Sequence, residues 1–162
     1  MKLTFAENGY LIIDDARIIF RNFSGTESKY NRKGDRNFAL VIDSQEICDA
    51  LVKDVNKYGV SWNVKIRPPR EEGDTPFMYM PVKVNMEGKG PNIYLKSGDN
   101  TRKLTTNNVG ILDDIEIESV DLDIRPYDNV VNGKPYRSAY LQAMHVTQRI
   151  DRFEARLESI EE

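Results

Sequence analysis

Residues 115–147 constrain the fold more than any other stretch of this chain. Ile115 and Ile117 share one parity, while Val120, Leu122 and Ile124 share the other. Apolar residues at every second position predict a half-buried strand. The change of phase near Glu118 and Ser119 is what one inserted residue, a β-bulge, produces. Asn132-Gly133 then supplies the residue pair that a tight hairpin turn requires. Residues 138–147 return as the partner strand, with Ala139, Leu141, Ala143 and His145 on one parity. A chain committed to such a ribbon needs further strands to cover its apolar side.

Those strands are legible on either side. Residues 10–13, 16–23 and 37–42 are rich in Ile, Phe, Val and Tyr, which suit a pleated surface. The intervening segment carries Gly25, Asn31 and Gly34 and predicts a long hairpin with a mobile tip. One helix follows, with Ile47, Leu51, Val52 and Val55 on one face, Asp43 or Ser44 as its cap and Gly59 placed to end it. Trp62, Val64 and Ile66 alternate as a strand stopped by Pro68 and Pro69. Residues 77–84 and 93–96 read as strands, 87–92 as a turn, and 97–108 as a flexible loop. Ile150, Phe153, Leu157 and Ile160 have helical spacing in an acidic C-terminal segment. The expected architecture is mainly β, with one α-helix between strands and a short C-terminal helix. The five-stranded barrel that binds oligonucleotides (the OB fold) is the natural candidate. Residues 1–148 form the expected domain and 149–162 an acidic helix or tail.

Composition narrows the function classes. A chain of 162 residues with 40% hydrophobic and 30% charged content is expected to fold as one soluble domain. No apolar run approaches the roughly 20 residues of a membrane span, and the N-terminus has no signal-peptide core, so the expected location is the cytoplasm. Cys48 is the one cysteine, which excludes an internal disulfide and a cysteine-based zinc site. The net charge of −3 is unevenly spread. Residues 1–103 carry 17 Lys/Arg against 14 Asp/Glu, and residues 104–162 carry 6 against 12.

The positive charge concentrates in residues 17–41, RIIFRNFSGTESKYNRKGDRNFALV, where Arg17, Arg21, Lys29, Arg32, Lys33 and Arg36 face only Glu27 and Asp35. Phe20, Phe23, Tyr30 and Phe38 are interleaved with them. Cations neutralise phosphates and flat rings stack on unpaired bases, so this pattern suits a single-stranded nucleic acid. The competing reading is a hairpin with a solvated charged tip that contacts a protein partner, as in a non-catalytic accessory or structural protein. Phe20, Phe23 and Phe38 are expected to be mostly core, because phenylalanine has no polar group for a wet surface.

No constellation for catalysis emerges. His145 is the only histidine, so a triad and a metal site would have to share it. Gly88 and Gly90 precede no P-loop Lys-Ser/Thr. Asp113, Asp114, Glu116, Glu118, Asp121 and Asp123 are the one set from which a metal-dependent nuclease would draw carboxylates. Alternation instead places Glu116, Asp121 and Asp123 on a solvated strand face. The expectation is a protein that is not an enzyme and needs neither cofactor nor metal.

Asn22-Phe23-Ser24-Gly25, the run from Tyr30 to Phe38 (YNRKGDRNF), Trp62-Asn63-Val64-Lys65, Arg125-Pro126-Tyr127 and the run from Ala139 to Met144 (AYLQAM) resemble phage-type single-stranded DNA-binding proteins with an OB fold. That resemblance implies sequence-independent coating of single strands in phage or prophage replication or recombination. In the groove it implies, Arg21, Arg32, Lys33, Arg36, Lys65, Arg67 and Arg125 meet phosphates. Tyr30, Trp62, Tyr79, Tyr94, Tyr127 and Tyr136 are the stacking candidates. RNA remains open as a ligand beside DNA, and a homo-oligomer, specifically a homodimer, is expected from strand edges and the terminal helix. Replication or recombination proteins are the expected partners of the acidic C-terminus. Bacterial housekeeping relatives end there in Pro-Phe, whereas Ile160-Glu161-Glu162 has no terminal aromatic.

Overall fold

In the computed structural model, which describes residues 1–150, strands and one helix follow the order β1 (Lys2–Phe5), β2 (Leu11–Ala16), β3 (Ile18–Asn22), β4 (Arg36–Ile42), α1 (Gln45–Lys53), β5 (Lys65–Arg67), β6 (Phe77–Val84), β7 (Asn92–Ser97), β8 (Asn100–Lys103), a 3-10 turn (Val109–Asp113), β9 (Ile117–Val131) and β10 (Lys134–Gln148). The expected C-terminal helix lies outside the described residues. All ten strands belong to one sheet, with the path β1-β2-β9-β10-β6-β4-β3 and with β5, β7 and β8 attached beside it. The sheet wraps one core drawn from β2, β3, β4, β6, β7, β9 and β10, with Val109 and Leu112 of the 3-10 turn packed into it. The fold is therefore mainly β and OB-like, but the barrel is not closed, because β1 and β3 end the path without pairing to each other.

The long ribbon forms as alternation predicts. Asn132 (φ 52°) and Gly133 (φ 76°) make its turn, with both central residues in the left-handed region. The register of β9 skips Glu118, so the bulge falls at the predicted slip. A second irregularity, between Leu141 and Ala143, was not anticipated. It returns Met144 and Val146 to the core and leaves His145 exposed and Ala143 half-buried. The expected apolar parity thus holds for Ala139 and Leu141 and ends there.

Other expectations are corrected by local hydrogen bonding. Ser44 caps α1 by accepting from the Ile47 amide, but the helix stops at Lys53 rather than Gly59. The Asn56 side-chain oxygen accepts from the amides of Tyr58 (2.8 Å) and Val60 (3.0 Å), which fixes a turn no helix can continue through. Gly59 closes that turn at φ 77°. The strand expected around Trp62 shrinks to β5. Residues 97–108 are not a loop throughout: Ser97 pairs with Asn100 to open the β7–β8 hairpin, and Leu104 is buried beside Ile93. The expected strand over 16–23 is interrupted at Arg17 and bulged between Ile19 and Asn22.

An ion-pair cluster fixes the ribbon to the turn after α1. The Arg137 side chain is only 8% exposed and donates to both carboxylate oxygens of Asp128 (2.8 and 3.2 Å) and to the Asp54 carbonyl (3.2 Å). Its guanidinium lies 4.9 Å from the Trp62 ring centre, and the Trp62 indole N–H donates to Asp54 at 2.7 Å. Arg137 holds the Asp128 carboxyl below the usual carboxylate range, with a hydrogen bond from Asn56 helping. The lowered value means that this stabilisation is present above about pH 4 and is lost as pH falls through it. Arg137→Met is expected to destabilise the fold by roughly 3 kcal/mol. It should also flatten the acid limb of thermal stability below about pH 4, measured by circular dichroism melts across pH.

Candidate functional site

Alternation along the curled sheet leaves one outward face that is unusually rich in rings and cations. On β6, Met78, Met80, Val82 and Val84 point inward, so Phe77, Tyr79, Pro81 and Lys83 point outward. Cross-strand register carries this face sideways, because directly paired residues share a side. Arg67 is opposite Phe77, Lys65 opposite Tyr79, Lys83 opposite Tyr140, and Tyr140 opposite Arg125.

The side chains gather in two groups. In the first, the Arg67 guanidinium lies 5.7 Å from the Phe20 ring centre and 5.5 Å from that of Tyr79. Phe77 stacks on Tyr79 at 5.6 Å, and Phe20 meets Tyr79 edge-on at 5.8 Å. In the second, Arg125 and Lys83 lie 4.8 and 5.8 Å from the Tyr140 ring centre, and Tyr127 meets Tyr140 edge-on at 5.8 Å. Among the described residues, none of Lys65, Arg67, Lys83 and Arg125 forms an ion pair. A groove of about 630 Å³, lined in part by Arg32, Arg36, Asn37, Lys83 and Tyr140, joins the second group to the loop between β3 and β4. Unpaired cations beside rings offer charge to an anion and a face to a planar group.

That loop is built, not loose. Gly34 donates its amide to the Gly25 carbonyl at 2.8 Å, and a Cβ on Gly25 would stand 3.1 Å from the Gly34 backbone. The Asn31 side-chain amide bridges the carbonyls of Thr26, Arg32 and Asp35. Tyr30 projects from the tip, 90% exposed, with the Lys29 ammonium 5.6 Å from its ring centre. Asp113 accepts from the Phe23 amide (2.7 Å) and from the Ser24 amide and hydroxyl, which anchors the loop base to the 3-10 turn.

Over 160 residues, 3–162, the sequence matches the model of the family described as "Putative phage ssDNA-binding domain". The chain belongs to this family. Its fold is similar to that of the single-stranded DNA-binding protein of bacteriophage Enc34, at 15% identity and TM-score 0.51 over 93% of this chain and 92% of that one. A C-terminally truncated form of the Enc34 protein gives 15% and 0.50 over 93% and 97%. The Enc34 protein in complex with single-stranded DNA gives 14% and 0.53 over 92% of each. No curated protein matches the sequence.

Within this family member the expected groove residues divide. Lys65, Arg67, Tyr79, Arg125 and Tyr127 lie on the ring-and-cation face, and alternation with Ser138 and Tyr140 sets the half-buried Tyr136 on the same side of the ribbon. Tyr30, Arg32 and Lys33 are exposed at the loop, with Arg32 near Asp35 at 3.4 Å. Arg21 is committed elsewhere: its guanidinium donates to the carbonyls of Leu112 (2.7 Å) and Ile115 (2.8 Å). Arg36 likewise donates to the Phe23 carbonyl, although it also borders the groove. Trp62 is 2% exposed and belongs to the core, so no face of it is free for a base. Tyr94 stands in a separate cleft of about 210 Å³ with Asp14, Asp121, Asp123 and His145, where carboxylates oppose a phosphate.

The sequence reading missed Phe20, Phe77, Lys83 and Tyr140. For the last three the signal was present, since each is out of phase with buried neighbours on its strand. Phe23 and Phe38 are core and stack at 5.3 Å, as expected, but Phe20 is 56% exposed. The acidic residues serve structure where their contacts are seen: Asp113 holds the loop and Asp121 accepts from the Asp15 amide. Burial, with the Asp14 charge adding to it, pushes the Asp123 carboxyl up. Among the described residues, no three of His, Cys, Asp and Glu converge as metal ligands. Burial, and then Asp49, raises the Cys48 thiol, which is the opposite of an activated nucleophile. Arg21→Met is expected to cost roughly 2 kcal/mol by leaving two carbonyls without their donor. Arg32→Ala and Lys33→Ala should stay within about 0.5 kcal/mol of the parent; chemical denaturation of the three variants checks the division.

Proposed function

We propose that this protein binds single-stranded DNA without sequence choice, across the outward face of β5, β6, β10 and β9 and under the loop between β3 and β4. The observation that carries the reading is the registered row Lys83–Tyr140–Arg125, in which two cations that form no ion pair among the described residues flank one ring on three adjacent strands. Phosphates pair with such cations whatever base follows, and every base has a face to stack. Family membership supports the same reading, as does the DNA bound to the Enc34 protein. In this reading Lys65, Arg67, Lys83, Arg125, Arg32 and Lys33 meet phosphates, and Tyr79, Tyr127, Tyr140 and Tyr30 offer rings. The role is binding, not catalysis, in phage or prophage DNA replication or recombination, with a homodimer formed through exposed strand edges as part of the proposal.

Fluorescence anisotropy with a labelled mixed-sequence oligonucleotide tests it, beside duplex DNA and RNA of the same length. Affinity should fall with salt by a log–log slope of roughly −0.7 per phosphate neutralised. Lys83→Glu with Arg125→Glu should weaken all sequences equally and reduce that slope. A flat salt dependence, or tighter binding to duplex, sinks the reading.

A further inference from the structure

Phe20 is the one residue of the outward face whose position has a backbone cost. Its φ is 53°, in the left-handed region that a bulky side chain rarely adopts. The residue sits in the β3 bulge, where one added residue turns a side chain away from its expected side. The chain is pinned on both flanks. Ile18 and Ile19 keep register with Leu40 and Ala39, while Arg21 is tied to two carbonyls and the Phe23 amide to Asp113. The strain therefore cannot relax locally, and what it achieves is an exposed ring.

Burial does not account for that ring. At 56% exposure it recovers little of what the core would give it. Its neighbours do give it a role. β4, between β3 and β6, carries the small residues Ala39 and Val41 there, and Phe20 meets Tyr79 across them. Arg67 is near both rings and, among the described residues, has no carboxylate partner.

We infer that Phe20 is a base-stacking residue, held out by a strained backbone, and that Phe20, Tyr79, Phe77 and Arg67 form a nucleotide subsite separate from the one at Tyr140. The inference rests on the single-stranded DNA reading and extends it. A nucleotide there places its base against the Phe20 ring and its phosphate on Arg67. The subsite requires a residue to be worse for the fold and better for the ligand, a combination that a packing residue does not show.

Phe20→Gly and Phe20→Asn test this, since both replacements accept a left-handed backbone and neither alters charge. Melting temperature should hold or rise, while affinity for a mixed-sequence oligonucleotide falls roughly five- to hundredfold with an unchanged salt slope. Unchanged affinity in variants of a protein that itself binds the oligonucleotide overturns the subsite and leaves the wider reading intact. Failure of the parent protein to bind overturns the wider reading instead. A melting temperature that falls in step with affinity makes the ring structural and also overturns the subsite. Phe20→Trp gives a readout independent of stability: its exposed indole should be quenched by the oligonucleotide, against the buried Trp62 as background. An indole that does not respond to bound oligonucleotide counts against stacking.

Discussion

β10 is the strand on which the rest of the sheet depends. It pairs antiparallel with β9 along one edge, and its other edge is shared by β6 and β7. The irregularity between Leu141 and Ala143 falls where that edge passes from β6, at Tyr140, to β7, from Ala143 onward. A strand in strict alternation could not do this and keep its apolar side inward. If residues 139–147 kept strict alternation with no bulge, Met144 and Val146 would turn outward and His145 would enter the core. The insertion costs one unpaired residue, and the continuous core of the curled sheet follows from it. It also confines the outward rings of β10 to its first part, where Tyr136 and Tyr140 share the side of the ribbon that faces away from Arg137.

That division of the ribbon ties stability to the candidate site. One side holds Arg137 and Asp128 against Asp54 and Trp62; the other holds Tyr127, Tyr140 and Arg125. The lone tryptophan and a buried arginine are thus spent on orienting a two-stranded arm that would be marginal by itself. Tyr79 and Tyr140 are presented from stretches of β6 and β10 whose neighbouring positions on the opposite face are buried.

Sequence made the ribbon, its turn and the first bulge legible because alternation and Asn-Gly are local signals, each readable within a few residues. The second bulge was hidden, since Ala143 and His145 continue the parity of Ala139 and Leu141 and only the handover from β6 to β7 breaks it. The site divided along the same line. Lys65, Arg67, Tyr79, Arg125 and Tyr127 were found as strand residues of the right type, and Lys83 and Tyr140 were readable from phase against Val82, Val84, Ala139 and Leu141. Arg21 misled because residue type gives no hint of partners about 90 positions away, the Leu112 and Ile115 carbonyls that hold it; Arg36 and Trp62 have nearer partners, the Phe23 carbonyl and the Asp54 carboxylate, which residue type does not reveal either. Phe20 was unreadable for a different reason: a left-handed bulge at phenylalanine contradicts local preference, and places of that kind are where function competes with folding.

The acidic residues of the described sheet adjoin the positive face at one end. Asp123 shares the outward side of β9 with Arg125, two residues away, or roughly 7 Å at strand spacing. That is within one Debye length at physiological salt, about 8 Å. Asp123 therefore lowers the potential at Arg125, and the cleft it forms with Asp14 and Asp121 opposes any anion that strays toward Tyr94. Among the described residues the cations form no ion pair, and the acids follow them along the same strand, so the sheet itself sets a boundary for a polyanion. Under the proposed reading, the strand of DNA runs from the β3–β4 loop across Tyr140 and Tyr79, and ends its contact before the acidic cleft.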